Sequence, residues 1–162
     1  MKHLKAIVLD VDGVLTDGGV WWGPNGEEWK RFCFADIMGV SLAMKAGLIV
    51  GLISGEGSPL VDRFAVKMGI TDIEKNCKDK ARALRAFVER RRLALTDVTF
   101  MGDDVNDLEA MSIAGLAAAP ASAVPLVLER ATFVSVKPGG HGAVRELVDA
   151  ILRAKHSPDE AL

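Results

Sequence analysis

Two carboxylates, Asp10 and Asp12, stand one residue apart directly after the apolar run Ala6-Ile7-Val8-Leu9. The run is β-branched in part and long enough for one buried strand. In a parallel α/β sheet, ligands bind beyond the carboxyl ends of the strands, where loops and helix N-termini open. Two acids at such a place are costly to desolvate unless a positive charge sits between them. A divalent cation that prefers oxygen, most simply Mg²⁺, answers that need. Gly13 then permits a turn that a Cβ would hinder. The plain alternative is a strand ending in a polar turn.

Three further polar groups follow apparent strand ends or helix starts. Ser54 follows Leu48-Ile49-Val50-Gly51-Leu52-Ile53, Lys80 follows a short segment, and Asp103, Asp104 and Asp107 follow Val98-Thr99-Phe100-Met101. Singly, Ser54 also reads as a turn residue, Lys80 as a surface lysine and Asp104 as a helix cap. Together they supply a nucleophilic carboxylate, carboxylates for a metal, a hydroxyl and a cation. Phosphoryl transfer needs that set, because it asks for in-line positioning and charge neutralisation more than covalent work.

The elements that position these groups alternate between strand and helix. A helix capped by Asp36 runs to about Ala46 and ends at Gly47. Ser58-Pro59 opens another, with the hydroxyl at the cap and proline at the first position; it stops at Gly69. Asp72–Glu74 reads as a short strand. Further helices are predicted at 78–92, after Asp107 to about Ile113, at 125–130 and at 143–154; strands are predicted at 115–118 and 132–136. The run Arg90-Arg91-Arg92 reads as a solvated helix end. Such alternation predicts an α/β fold, a three-layer, Rossmann-like parallel sheet with helices on both faces. No insertion is long enough for a cap domain. Residues 1–162 read as one domain, with a tail frayed from about Lys155.

Residues 18–32 break the pattern. Two aromatic arms flank Gly23-Pro24-Asn25-Gly26, which predicts a protruding β-hairpin. All three tryptophans of the chain, Trp21, Trp22 and Trp29, lie in it. An isolated hairpin is marginal in water. A second subunit is the simplest surface to receive it; the other reading folds it back on its own core.

Composition narrows the class. Hydrophobic residues make up 49% and charged residues 26% of the 162, and the net charge is −2. Nothing in that balance points to nucleic acid or a membrane surface. Cys33 and Cys77 are at no metal-ligand spacing and read as free thiols. The start is too short in apolar residues for a signal segment, and the stretch 114–128 is broken by Pro120 and Pro125. The expectation is a cytoplasmic protein.

Asp10-Val11-Asp12-Gly13-Val14, Ser54, Lys80 and Gly102-Asp103-Asp104-x-x-Asp107 resemble, in order and spacing, the four motifs of the haloacid-dehalogenase superfamily of phosphatases. The resemblance spans about Ala6 to Ala154. It implies a Mg²⁺-dependent phosphoaspartyl mechanism. By that match Asp10 is nucleophile and metal ligand, and Asp12 is acid, then base, with its backbone carbonyl on the metal. Ser54 and Lys80 hold the phosphoryl group, Asp103 ligates the metal, and Asp107 steadies the metal site or Lys80.

A narrower resemblance rests on Thr16-Asp17-Gly18-Gly19, the hairpin, Asp36-x-x-Gly39 and Gly139-Gly140-His141-Gly142-Ala143-Val144-Arg145-Glu146. These look like the capless branch that includes KDO 8-phosphate and KDN 9-phosphate phosphatases and the C-terminal module of CMP-sialate synthetases. It implies a homotetramer in which a neighbour's hairpin and glycine-rich tail close each site, with Arg145 or His141 near a sugar-acid carboxylate. Gly55 and Glu56 would face the substrate. KDO 8-phosphate phosphatases usually carry arginine where Glu56 stands, and the KDN-type enzymes are similar to this chain at Glu56 and Lys67. Both substrates therefore stay open. A non-catalytic tetramerisation module lacks the full acid set retained here. A phospho-receiver domain would place its lysine after its paired acids, whereas Lys80 precedes Asp103.

Overall fold

The computed structural model describes residues 1–156. Six parallel strands form one sheet: β1 (Ala6–Leu9), β4 (Ile49–Ile53), β5 (Asp72–Glu74), β6 (Val98–Met101), β7 (Leu116–Ala119) and β8 (Phe133–Val134). Their order is β5-β4-β1-β6-β7-β8. The chain leaves β1 for β4 on one side and later returns to β6 on the other. The carboxyl end of β1 is therefore the topological switch point, where such sheets open a crevice. Asp10 stands there.

The central strands β1, β4 and β6 are short, mostly apolar runs because both faces are covered. In β1, Ile7 and Leu9 face one cluster with Val40, Val61, Phe64, Val144, Leu147 and Ile151. Ala6 and Val8 face the other, with Leu84, Phe87, Phe100, Met111 and Val127. The first face is covered by α1 (Phe34–Lys45), α2 (Pro59–Met68) and α6 (Ala143–His156). The second is covered by α3 (Lys80–Arg91), α4 (Leu108–Ile113) and α5 (Pro125–Arg130). This is the expected α/β, Rossmann-like architecture, with no cap between its elements.

Local signals fix most boundaries. Ser58 accepts from the Leu60 N–H and Pro59 opens α2, which ends on left-handed Gly69. Asp79 caps α3 through the Arg82 N–H, so this helix begins at Lys80, two residues later than predicted. Arg90 and Arg91 are not simply solvated, because both pair with Asp72 on β5. Asp36 does not cap its own helix. Cys33 is the N-cap of α1, and Asp36, buried in its first turn, accepts from the backbone N–H groups of Gly142 (3.3 Å) and Arg145 (3.0 Å). A carboxylate at a helix N-terminus satisfies orphan donors and complements the helix dipole. Asp36 thus caps α6 from the neighbouring helix on the same face of the sheet. Lys155 and His156 are helical, not frayed; the rest of the predicted tail lies outside the described residues.

The hairpin forms as expected, with β2 (Trp21–Trp22) antiparallel to β3 (Glu28–Trp29). Its polar side turns back on its own chain. Its aromatic side does not: Trp21 is 73%, Trp22 76% and Trp29 54% exposed.

Candidate active site

Three backbone ladders continue one residue past their strands and set the site. The Asp10 N–H donates to the Met101 carbonyl (3.0 Å), Ser54 to Glu74 (2.8 Å) and Gly102 to Ala118 (3.1 Å). Asp10, Ser54 and Asp103 thereby reach one edge of the sheet. Lys80 arrives there as the first residue of α3.

Lys80 is buried and its Nζ bridges two carboxylates, Asp10 Oδ1 at 2.9 Å and Asp107 Oδ1 at 2.6 Å. The other oxygen of Asp107 accepts from the backbone N–H groups of Asp103 (2.9 Å) and Asp104 (3.2 Å). Both oxygens of Asp107 are thus engaged, so it braces the loop and Lys80 together. Asp104 caps the turn at 105–107 through the Val105 N–H, which leaves it the structural role expected of a cap. Gly13 has φ +86°, and a Cβ there would lie 1.9 Å from Asp103 Oδ2. Only glycine lets the β1 loop approach the β6 loop this closely.

Asp10, Asp103 and Asp107 each offer a carboxylate oxygen, and the three oxygens lie within 4.8 Å of one another. An all-oxygen donor set of this charge fits a hard divalent cation such as Mg²⁺. The electrostatics agree. Burial, then the nearby Asp107 charge, pushes the Asp10 carboxyl up to about 6, although Lys80 opposes the rise. Burial, then Asp10, pushes Asp103 up to about 8. Burial works to lower the Lys80 ammonium, and Asp10 and Asp107 outweigh it, so its pKa rises.

A raised carboxyl pKa means the folded chain holds that proton more tightly than the unfolded chain. The stability these protons confer is complete below about pH 4 and is lost as pH climbs through about 6 and then about 8. The metal-free protein should melt at least about 3 °C lower at pH 8.5 than at pH 5, and added Mg²⁺ should reverse the loss. Scanning calorimetry with chelator and with Mg²⁺ checks this. A melting temperature indifferent to both would refute the shared-charge reading of the three acids.

A cavity of about 240 Å³ opens over the acids, lined by Asp10, Asp12, Gly18, Gly55, Glu56, Lys80, Asp103, Asp104 and Asn106. Ser54 lies buried beneath it, its Oγ accepting from the Glu56 N–H at 3.2 Å. Of the residues singled out from sequence, these come together: Asp10, Asp12, Ser54, Gly55, Glu56, Lys80, Asp103 and Asp107. Lys67 does not join them. It lines a neighbouring cleft of about 260 Å³ with Lys30, Phe32, Ile37, Leu60, Arg63 and Phe64. Arg145 is also elsewhere, its Nε paired with Asp149 one turn on, at 3.0 Å. His141 is exposed in the loop before α6.

The sequence reading missed Lys30. It follows β3, and its Nζ lies 2.9 Å from Asp12 Oδ1 and 3.0 Å from Asp12 Oδ2. Glu28 Oε2 is 3.8 Å away and accepts from Ser58 Oγ at 2.7 Å. Arg31 donates to the Gly140 carbonyl at 3.0 Å. The hairpin's return arm thus ties three separate segments to the site. No short-range pattern marks this, because a two-residue strand does not reveal which way its neighbours point.

A family model described as haloacid dehalogenase-like hydrolase matches residues 53–147. The chain belongs to that family. The expected phosphoryl-transfer fold is met at family level, and with it the expectation of a hydrolase. Among relatives of the haloacid dehalogenase-like hydrolase, the 3-deoxy-D-manno-octulosonate 8-phosphate phosphatase KdsC of Escherichia coli K12 is 38% identical over 160 residues. That match covers 99% of this chain and 85% of the relative. A phosphatase of the same name from Moraxella catarrhalis, solved with magnesium, phosphate and KDO, superposes with TM-score 0.93 at 34% identity, covering 95% of this chain and 88% of that one. A cobalt-bound counterpart from Haemophilus influenzae gives 0.92 at 33% identity, covering 95% and 90%. Among the described residues, no helix is long and apolar enough to cross a membrane.

Proposed function

We propose that this hydrolase is a Mg²⁺-dependent phosphatase acting on the phosphomonoester of a 3-deoxy-2-keto sugar acid, KDO 8-phosphate first, through a phosphoaspartate on Asp10. The observation that carries the reading is the buried Lys80 bridging Asp10 and Asp107 beside Asp103, beneath a cavity open to solvent. The identity to phosphatases of that name supports the substrate.

Each residue has a task. Asp10 Oδ attacks phosphorus in line as the bond to the sugar oxygen breaks. Asp12 gives that oxygen a proton, then takes one from the water that opens the phosphoaspartate, which frees Asp10 and inorganic phosphate. Ser54, Lys80 and the Gly55 backbone hold the phosphoryl oxygens. Asp10, Asp103 and the Asp12 carbonyl would hold Mg²⁺, with Asp107 bracing. The cation supplies charge neutralisation for the transferring group.

Glu56 favours a second reading. It lines the cavity beside Gly55 and would accept hydrogen bonds from sugar hydroxyls while repelling a carboxylate. The KDN-type enzymes resemble this chain at Glu56 and at Lys67, although Lys67 lines the neighbouring cleft and not this cavity. Phosphate release from KDO 8-phosphate and KDN 9-phosphate, compared side by side with Mg²⁺, separates the two. A higher kcat/KM on KDO 8-phosphate supports the first; preference for KDN 9-phosphate moves the assignment to the second; no release from either overturns both.

The exposed Trp21, Trp22 and Trp29, with the exposed Phe34 and Met38 of α1, support the homotetramer reading, in which Arg145 or His141 would serve a neighbour's site. Two free thiols, Cys33 and Cys77, fit a reducing, cytoplasmic setting.

A further inference from the structure

Lys30 is a lysine on a surface hairpin whose side chain is only 4% exposed. An ammonium gains from water, so sinking one requires compensation. Asp12 provides it, with both oxygens within 3.0 Å of Nζ. The lysine is itself guided. Glu28 lies 3.8 Å from Nζ and is pinned by Ser58 Oγ at 2.7 Å and by Trp22 Nε1 at 3.1 Å. Arg31, the next residue, fixes the arm to the Gly140 carbonyl.

Asp12 differs from the other acids of the site. Asp10 and Asp107 are held by Lys80, and Asp103 by the crowding of the two loops. The Asp12 side chain lies outside that cluster and makes its ion pair with the hairpin. A carboxylate that must meet a leaving oxygen, and afterwards a water, has to keep one orientation through both steps.

We infer that Lys30 is a positioning residue for proton transfer by Asp12, gripping both carboxylate oxygens so that one stays aimed at the leaving group. The inference rests on the phosphoaspartyl reading above. It separates from a role in sugar recognition and from a merely structural ion pair, because only aim at the leaving oxygen makes the loss depend on how much that oxygen needs a proton.

The experiment is a set of aryl monophosphates of increasing leaving-group basicity, turned over with Mg²⁺ by wild type, Lys30→Gln, Lys30→Arg and Glu28→Gln. None of these substrates carries a carboxylate or a polyol. Expected for Lys30→Gln is a fall in kcat/KM of under about tenfold on the most acidic leaving group and roughly a thousandfold on the most basic, within the range of general acid catalysis. The leaving-group plot then steepens. Lys30→Arg should recover most of the loss. Glu28→Gln, which keeps Lys30 but loosens its anchor, should steepen the plot by less, and it carries the test if the glutamine variant fails to fold. Parallel plots for all four proteins, with wild type active, overturn the inference and leave the phosphatase reading standing. No release by wild type from any of these esters overturns both.

Discussion

Replacing Asp10 with asparagine should abolish Mg²⁺-dependent phosphate release, by about 10⁴-fold or more, while the protein stays folded. The carboxamide keeps the shape of the side chain but lacks the anionic oxygen that the proposed mechanism requires for attack on phosphorus. Folding is spared because Asp10 is not a net stabiliser. Its carboxyl is pushed up to about 6 by burial and by Asp107, so removing its charge relieves the cluster while the amide oxygen can still accept from Lys80. Metal-free Asp10→Asn should therefore melt no lower than wild type near pH 8. Phosphate release and thermal melting on the same preparation check both halves. Turnover within tenfold of wild type would remove Asp10 as nucleophile.

Lys80→Met should behave differently, losing rate and stability together. The buried ammonium lies 2.6 Å from Asp107 Oδ1 and 2.9 Å from Asp10 Oδ1, and Asp107 is wholly buried. Methionine fills much of the space but leaves both carboxylates without their cation. Breaking a buried ion pair from one side costs about 3–5 kcal/mol, and for a chain of this length that lowers the melting temperature by on the order of 10 °C. Turnover should fall by roughly 10³-fold or more, since the phosphoryl oxygens lose a charged donor. Saturating Mg²⁺ should recover much of the stability and little of the rate. If Mg²⁺ restored both, Lys80 would be a structural counter-charge only.

The acids, the hydroxyl and Lys80 were legible in the sequence for one physical reason. Each follows a short apolar run or opens a helix, and in a parallel sheet all strands end on one edge whatever lies between them. Spacing along the chain then needs no knowledge of the loops. Lys30 was hidden because its position depends on which way the hairpin folds, and that is decided by Glu28, Ser58 and Gly140, far apart in the chain. Asp36 was read as a local cap because its residue type is the usual one before a helix. Its partners lie more than a hundred residues away, and no local signal distinguishes a cap for α1 from one for α6. Arg145 shows the opposite. Its pairing with Asp149 follows the ordinary spacing of charges on one helix face, and that near partner is the one it takes.

The loop before α6 also bears on how the molecule is made. Gly140 donates to the Val14 carbonyl at 3.1 Å, and Gly139 sits so close to the Gly13 carbonyl that a Cβ would lie 1.8 Å from that oxygen. The segment carrying Asp12 is thus seated against residues synthesised some 125 positions later. Chains grow from the N-terminus, so during translation the catalytic loop has no backing until the polypeptide is nearly finished. A nascent chain could pair β1 with β4 long before then and still be inert. Activity would switch on late, once the glycines and α6 behind them are in place, and a chain cut between Asp107 and Gly139 would keep Asp10, Asp12, Ser54, Lys80, Asp103 and Asp107 but have no working site.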